Sequence, residues 1–266
     1  MLSIDALKDG DIRQTFDLLK SEVRRSPRDA SLRTFLFQMF CVSGEWERAL
    51  TQLAVVGELD PASTPMVRTY EVAVRCEILR SMVFKGQRTP SVLGKPGPWL
   101  PLLIEAARLL ASGRPEHAAK LRDAAFEDAG ASQAALNGVK SDWVADADPR
   151  LGPTVEATVN GTYVWIPYDR IRSIAFDPPQ DLRDQVWTPA TFTWTNGGIA
   201  VGLIPTRYPG TTDATDPALL LAHRTEFIET EHWSIPIGQR MLVTEASETA
   251  LMDIRRLDLV HAAAPG

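Results

Sequence analysis

The chain has 266 residues, 44% of them hydrophobic and 23% charged, with a formal net charge of −6. That length suits one large domain or two ordinary ones, and the acidic balance disfavours a nucleic-acid or anionic-membrane partner, since both reward a basic face. No apolar run approaches the roughly 20 residues that span a bilayer, and the opening "MLSIDALKDGD" lacks the basic-then-apolar order of a secretory leader.

The first half reads as helical. Leu, Phe and Ala recur at three- and four-residue spacings without sustained alternation. Gly10 and Gly44 stand 34 residues apart, as do Pro27 and Pro61. A 34-residue period is that of the tetratricopeptide repeat, a helix-turn-helix unit that stacks on its neighbours. In "GEWERALTQLAVVGELDP", Gly44 ends one helix, and Trp46, Ala49, Leu50 and Leu53 share a face of the next. Asp60-Pro61 then stops it. A further unit is predicted at 103–130, turning at Gly113. Phe37 departs from the repeat pattern, because a small residue is usual there. On a stacked array, Thr34 and Gln38 would face the concave side with Arg33 close by, as candidate partner-binding residues. A long helix is predicted over 64–84. Cys41 and Cys76 lie in helix-patterned segments and read as reduced, buried thiols.

Near residue 138 the character changes. Residues 1–136 hold 18 Lys and Arg against 17 Asp and Glu; residues 137–266 hold 10 against 17. The two parts are therefore read as a helical-repeat domain, 1–136, and a β-rich domain, 137–266. Strands are predicted on either side of Asn160-Gly161, a strong hairpin signal, then at "IRSIAFD", around Asn196-Gly197-Gly198, and at "TEFIETEHW", "RMLVTEA" and "ALMDIRRLDLV". A short helix starts at Asp216-Pro217. The fold class is α+β, with the strands forming a small, mostly antiparallel barrel or sandwich.

The junction "SDWVADADPRLGP" concentrates acids. Asp146, Asp148 and the nearby Glu156 could hold a hard cation for a metal-dependent hydrolase. The plainer reading is a capped turn between domains with Arg150 paired to one of the acids, and it is preferred, because calcium-loop spacing is missing and Asp148 precedes a proline. "PTRYPG" sets Arg207 and Tyr208 where they could contact a phosphate or a partner's carboxylate, or form a Pro-flanked loop with an exposed arginine. His117, His223, His232 and His261 lack metal-ligand spacing, and the sequence holds no serine-nucleophile elbow and no phosphate loop. These residues suggest binding rather than chemistry, with no cofactor and no metal.

The pieces "DADPRLGP", "PPQDLRDQVW" and "GLIPTRYPG", in this order, resemble the ImpE/SciE-type proteins, also called TagJ, accessory components of bacterial type VI secretion systems. The N-terminal repeat and "GQRMLVTEA" with "LMDIRRLDL" fit as well, so the resemblance covers essentially the whole chain. It implies a cytoplasmic, non-enzymatic adaptor. Its implied partner is the N-terminal helix of the small sheath subunit, and through it the adaptor would link the sheath to the AAA+ ATPase that recycles it. The resemblance carries no catalytic residues. It turns the acidic junction, with Asp146, Asp148 and Arg150, into a structural corner or a partner surface.

Overall fold

The computed structural model describes residues 2–8 and 10–261. The helical layer runs through α1 (Leu2–Lys8), α2 (Ile12–Arg25), α3 (Ala30–Val42), α4 (Trp46–Leu59), α5 (Thr64–Phe84), α6 (Trp99–Ala111) and α7 (Pro115–Ala129), with the two-residue strand β1 (Ser91–Val92) between α5 and α6. The strands that follow are β2 (Ala134–Leu136), β3 (Val139–Ser141), β4 (Val144–Asp146), β5 (Thr154–Val159), β6 (Thr162–Pro167), β7 (Ile171–Phe176), β8 (Trp187–Trp194) and β9 (Ile199–Pro205). After the short helix α8 (Pro217–Leu220) come β10 (Thr225–Glu229), β11 (Ser234–Gly238), β12 (Met241–Thr244), β13 (Glu248–Ala250) and β14 (Arg256–Leu259).

The repeat is realised as the glycine–proline register predicts. α1 turns into α2 at Gly10, α3 into α4 at Gly44 and α6 into α7 at Gly113, each with φ between 71° and 79°, a backbone that only glycine adopts without strain. Asp29 caps α3 by accepting from the amides of Ser31 and Leu32, and Asp60 accepts from Ala62 where the chain leaves α4. Ala49 and Leu53 are fully buried, with Trp46 and Leu50 packed against the same core. The large Phe37 has a specific reason. It begins a run of aromatic contacts through Tyr70 of α5 and Trp187 of β8 to Trp46 of α4, with ring centroids 5.6 to 6.1 Å apart. A small residue there would leave a void between the helices and the sheet.

The strands form one nine-stranded sheet in the order β1-β6-β5-β9-β8-β7-β14-β2-β3, a β10-β11 hairpin, and a small β13-β12-β4 sheet. Every pairing is antiparallel except β1 with β6. The α+β class with a mostly antiparallel second half holds, and its sheets are open, without barrel closure. The large sheet ends in strands of two and three residues, which present few unpaired backbone groups. Asn160 and Gly161 make the predicted two-residue hairpin, both at positive φ. A second such pair, Asn137-Gly138, turns β2 into β3, and sequence analysis missed it. β2 therefore begins at Ala134, ahead of the expected 136/137 boundary, and pairs with β14 near the other end of the chain. The segment "ALMDIRRLDLV" is split into β13, a 3-10 turn over Leu251–Asp253, and β14.

The two halves share their interiors. β6 is buried on both faces: Val164 and Ile166 join the core of the sheet, while Tyr163 and Trp165 join Cys76, Val83, Leu100 and Leu103 of the helical layer. That explains its apolar run without alternation. Val186, Trp187, Leu220 and Leu221 enter the core of α2 to α5 in the same way. The α3–α4 turn also meets the sheet half: a Cβ on Gly44 would lie 2.7 Å from the Thr212 side chain, whereas one on Gly113 meets nothing within 4 Å. Both Gly44→Ala and Gly113→Ala should pay the left-handed backbone cost of about 1 kcal/mol. Gly44→Ala should lower the thermal midpoint clearly further. Equal midpoints in a thermal melt would mean that the turn does not pack on Thr212 as described.

Candidate functional site

Two side chains of α5 begin the polar interior. Glu77 and Arg80 are three residues apart, so they project from one helix face, and that face meets β5 and β6. Arg80 donates through Nε and Nη2 to both oxygens of Glu156, at 2.8 and 2.7 Å, through Nη1 to Glu77 at 3.1 Å, and through Nη2 to the Arg207 carbonyl at 2.8 Å. Period-two alternation places Glu156 on the helix-facing side of β5, opposite Trp165. The Tyr163 hydroxyl donates to Glu156 at 2.6 Å and accepts from the Trp165 indole at 2.8 Å. The Trp187 indole donates to Glu77.

Arg240 carries the network across the sheet. Its Nη2 pairs with Glu156, its Nη1 with Asp146, and its Nε donates to the Pro205 carbonyl at 2.9 Å. The guanidinium of Arg240 is fully buried, as are the carboxylates of Glu156 and, within 1%, Asp146. Asp148 accepts from the Arg150 backbone amide at 2.9 Å and holds the Arg150 guanidinium in a two-pronged pair. Asp146 in turn accepts from the Asp148 amide at 2.8 Å. The junction is therefore the capped, arginine-paired turn. Structure brings Asp146 and Glu156 together on the Arg240 guanidinium, with Arg80 also on Glu156, so the charge a hard cation would need is engaged within the protein.

The electrostatics follow from burial and pairing. Burial would raise the Glu156 carboxyl, but the charges of Arg80 and Arg240 outweigh it and hold it down at about 2. Burial dominates at Asp146, pushing it up to about 6 against the pull of Arg240 and with help from Asp148. Charges balance across the cluster: Arg80, Arg150, Arg207 and Arg240 against Glu77, Asp146, Asp148 and Glu156.

Arg207 and Tyr208 are interior residues, which corrects the expectation of an exposed loop or a partner-facing pair. Arg207 donates to the carbonyls of Cys41, Val42 and Leu220, at 3.0, 2.7 and 2.6 Å. It thereby caps the end of α3 at the Val42 carbonyl and adds to the Gly44 amide already on the Cys41 carbonyl. Burial lowers its guanidinium to about 10, which leaves it charged at neutral pH. Tyr208 exchanges two hydrogen bonds with the Met241 backbone and lies under Arg240. With Asp146, Asp148 and Arg150, these residues are hydrogen-bonded to the protein's own groups, while Arg150, Arg207 and Tyr208 also line a pocket of about 300 Å³ beside Arg80 and Phe84.

Arg33, Thr34 and Gln38 do not form one patch. The four-residue spacing puts Thr34 and Gln38 in one row of α3, while Arg33, Leu36 and Phe40 fall on another face. Thr34 donates to the Ala30 carbonyl within its own helix. Arg33 reaches across to Gln52 of α4 at 3.1 Å. Gln52 borders a surface groove of about 330 Å³ between α2, α3 and α4. Val23, Leu36 and Phe40 form its apolar floor, and Lys20, Arg24 and Arg48 its basic rim. Sequence analysis did not single out these rim residues, nor Glu77, Arg80 and Arg240. For the groove a signal existed: Lys20/Val23/Arg24 and Arg48/Thr51/Gln52 each keep a three- and four-residue spacing. For Arg240 there was none, because its partners are 84 and 94 residues away.

Known proteins resemble this chain along its length. Residues 138–258 match the family model described as ImpE protein. The type VI secretion system accessory component TagJ of Pseudomonas aeruginosa is 45% identical over 258 residues, which is 97% of this chain and 91% of that protein. The X-ray crystal structure of protein VPA1032 from Vibrio parahaemolyticus shares the fold with a TM-score of 0.89, covering 98% of each chain at 24% identity.

The depressed Glu156 carboxyl has a pH consequence. Its folded value lies below the ordinary 4.5, so the stability it contributes is present above 4.5 and is lost as pH falls through about 2. Glu156→Gln should cost on the order of 3 kcal/mol at neutral pH, and the gap to the unsubstituted protein should narrow from about pH 4.5 downward. Urea unfolding across that range checks it. A gap that stays constant with pH would show that the carboxylate's charge is not what the arginines hold.

Proposed function

The chain belongs to the ImpE family, and from that premise we propose that it is a non-enzymatic adaptor of a type VI secretion system, working in the cytoplasm. Its partner on this reading is the N-terminal helix of the small sheath subunit, and by holding that helix it links the sheath to the AAA+ ATPase that recycles it. The observation that carries the secretion role is the 45% identity to an accessory component across 97% of the chain.

Several features favour binding over catalysis. The carboxylates that a metal-dependent hydrolase would use, Asp146, Asp148 and Glu156, are each bound to an arginine inside the fold. A helical layer stacked on a sheet, with shared cores, gives a rigid surface for a partner helix at little ordering cost. No helix among the described residues is long and apolar enough to cross a membrane.

A labelled peptide of the cognate small sheath subunit's N-terminal helix, titrated into the whole protein, tests the reading. The whole chain is needed because the halves share cores and neither would keep its interior alone. Saturable binding with a Kd on the order of micromolar is expected for a single docked helix. A flat titration to about 100 times that concentration would remove the small sheath subunit as the partner.

A further inference from the structure

We infer that the groove between α2, α3 and α4 is the docking site for an amphipathic helix whose apolar stripe is flanked by acidic residues. The inference rests on the adaptor reading only for the identity of the partner; the chemistry comes from the groove.

Charge points to an acidic partner. The protein is acidic overall, at −6, yet residues 20–33 hold Lys20, Arg24, Arg25, Arg28 and Arg33 against Glu22 and Asp29. Both acids are engaged locally: Asp29 caps α3, and Glu22 accepts from the Ser3 hydroxyl. Arg48 adds a further cation from the opposite wall, with a side chain 57% exposed and, among the described residues, Glu45 at the start of its helix as its ion-pair partner. A basic rim on an otherwise acidic molecule steers an acidic partner and repels basic ones.

The cations are also stowed where a partner would release them. The Arg48 guanidinium lies 4.5 Å from the centre of the Phe40 ring, and the Lys20 ammonium 5.0 Å from that of Phe16. Such contacts are worth little at an exposed site. A carboxylate on an incoming helix offers Lys20 a stronger partner than a ring face and competes with Glu45 for Arg48, and drawing Arg48 aside opens the Phe40 face to an apolar side chain. One event thus pairs charge at the rim and buries apolar surface on the floor.

The walls select a helix over a strand. α2, α3 and α4 satisfy their backbone groups internally along the groove, so an added strand would find no backbone donors or acceptors there. A helix carries its own hydrogen bonds and presents side chains at three- and four-residue spacing. That spacing matches the rows Lys20/Val23/Arg24 and Arg48/Thr51/Gln52 that face it.

The test uses the full-length protein and two fluorescent probes: the N-terminal helix peptide of the small sheath subunit, and a designed amphipathic helix with Asp and Glu beside a Leu stripe. Variants are K20E/R24E, Thr51→Trp, which fills the groove without changing charge, and R88E/K140E, which makes the same charge change at exposed sites elsewhere. Circular dichroism confirms that each is folded. Binding that weakens by at least about tenfold in K20E/R24E and in Thr51→Trp, falls with added salt, and is spared in R88E/K140E is the expected result. Sheath-peptide binding that all three variants leave unchanged overturns the groove assignment and leaves the adaptor role standing. Binding of the designed helix alone, with loss in K20E/R24E and Thr51→Trp, supports the groove and overturns the sheath reading. If neither probe binds, both are overturned.

Discussion

The carboxylate of Glu156, held between Arg80 and Arg240, is the joint on which the two halves of the molecule meet. Arg80 belongs to the helical layer, Glu156 to the middle of the large sheet, and Arg240 to the segment leading into the small sheet. A buried ion pair of this kind adds little stability over a well-packed apolar substitute, but removing one member leaves an uncompensated charge in a medium that solvates it poorly. The consequence is specificity of arrangement. The pairing ties the helices to the sheet at this place, because a shift of register would leave Glu156, Arg80 or Arg240 without the counter-charge it has here.

Around that joint the apolar packing is continuous. The aromatic path from Phe37 through Tyr70 and Trp187 to Trp46 crosses the boundary beside the ionic cluster. Arg207 reinforces it from the sheet side by capping the end of α3. A helical-repeat array on its own exposes the faces of its terminal units; here the sheet half covers one face, and the groove of α2, α3 and α4 stays open on another. The position of the arginines decides which surface is free to bind. Those inside the fold engage the protein's own carboxylates and carbonyls, whereas Arg48 on the groove rim rests on the Phe40 ring, an arrangement that a partner's carboxylate can exchange.

Much of the architecture was legible in the residues. The 34-residue glycine–proline register located the helix pairs, Asn160-Gly161 located a hairpin, and Asp216-Pro217 located a helix start, because each is a local backbone requirement met by a particular residue. Asn137-Gly138 was as plain a signal, although the short strands around it give little alternation to notice. The acidic junction was legible only in part. Arg150 sits two residues from Asp148, so that pairing could be read locally; the partner of Asp146 could not. Arg207 misled, since an arginine between two prolines and a tyrosine looks exposed until α3 is placed against it.

The sequence by itself determined most of the helices, several turns and caps, the net charge of each half, and the family, all of which depend on neighbouring residues or on the order of motifs. Tertiary structure alone decided that the large sheet stays open, that Asp146, Asp148, Arg207 and Tyr208 turn inward, and that Lys20 and Arg24 of α2 meet Arg48 of α4 around one groove. The physical reason is distance along the chain. Arg80 meets Glu156 across 76 residues, Arg240 meets Asp146 across 94, and Arg207 reaches Cys41 across 166. Whether a charged side chain is a surface contact or a buried strut depends on what folding brings to it, and no local pattern records that.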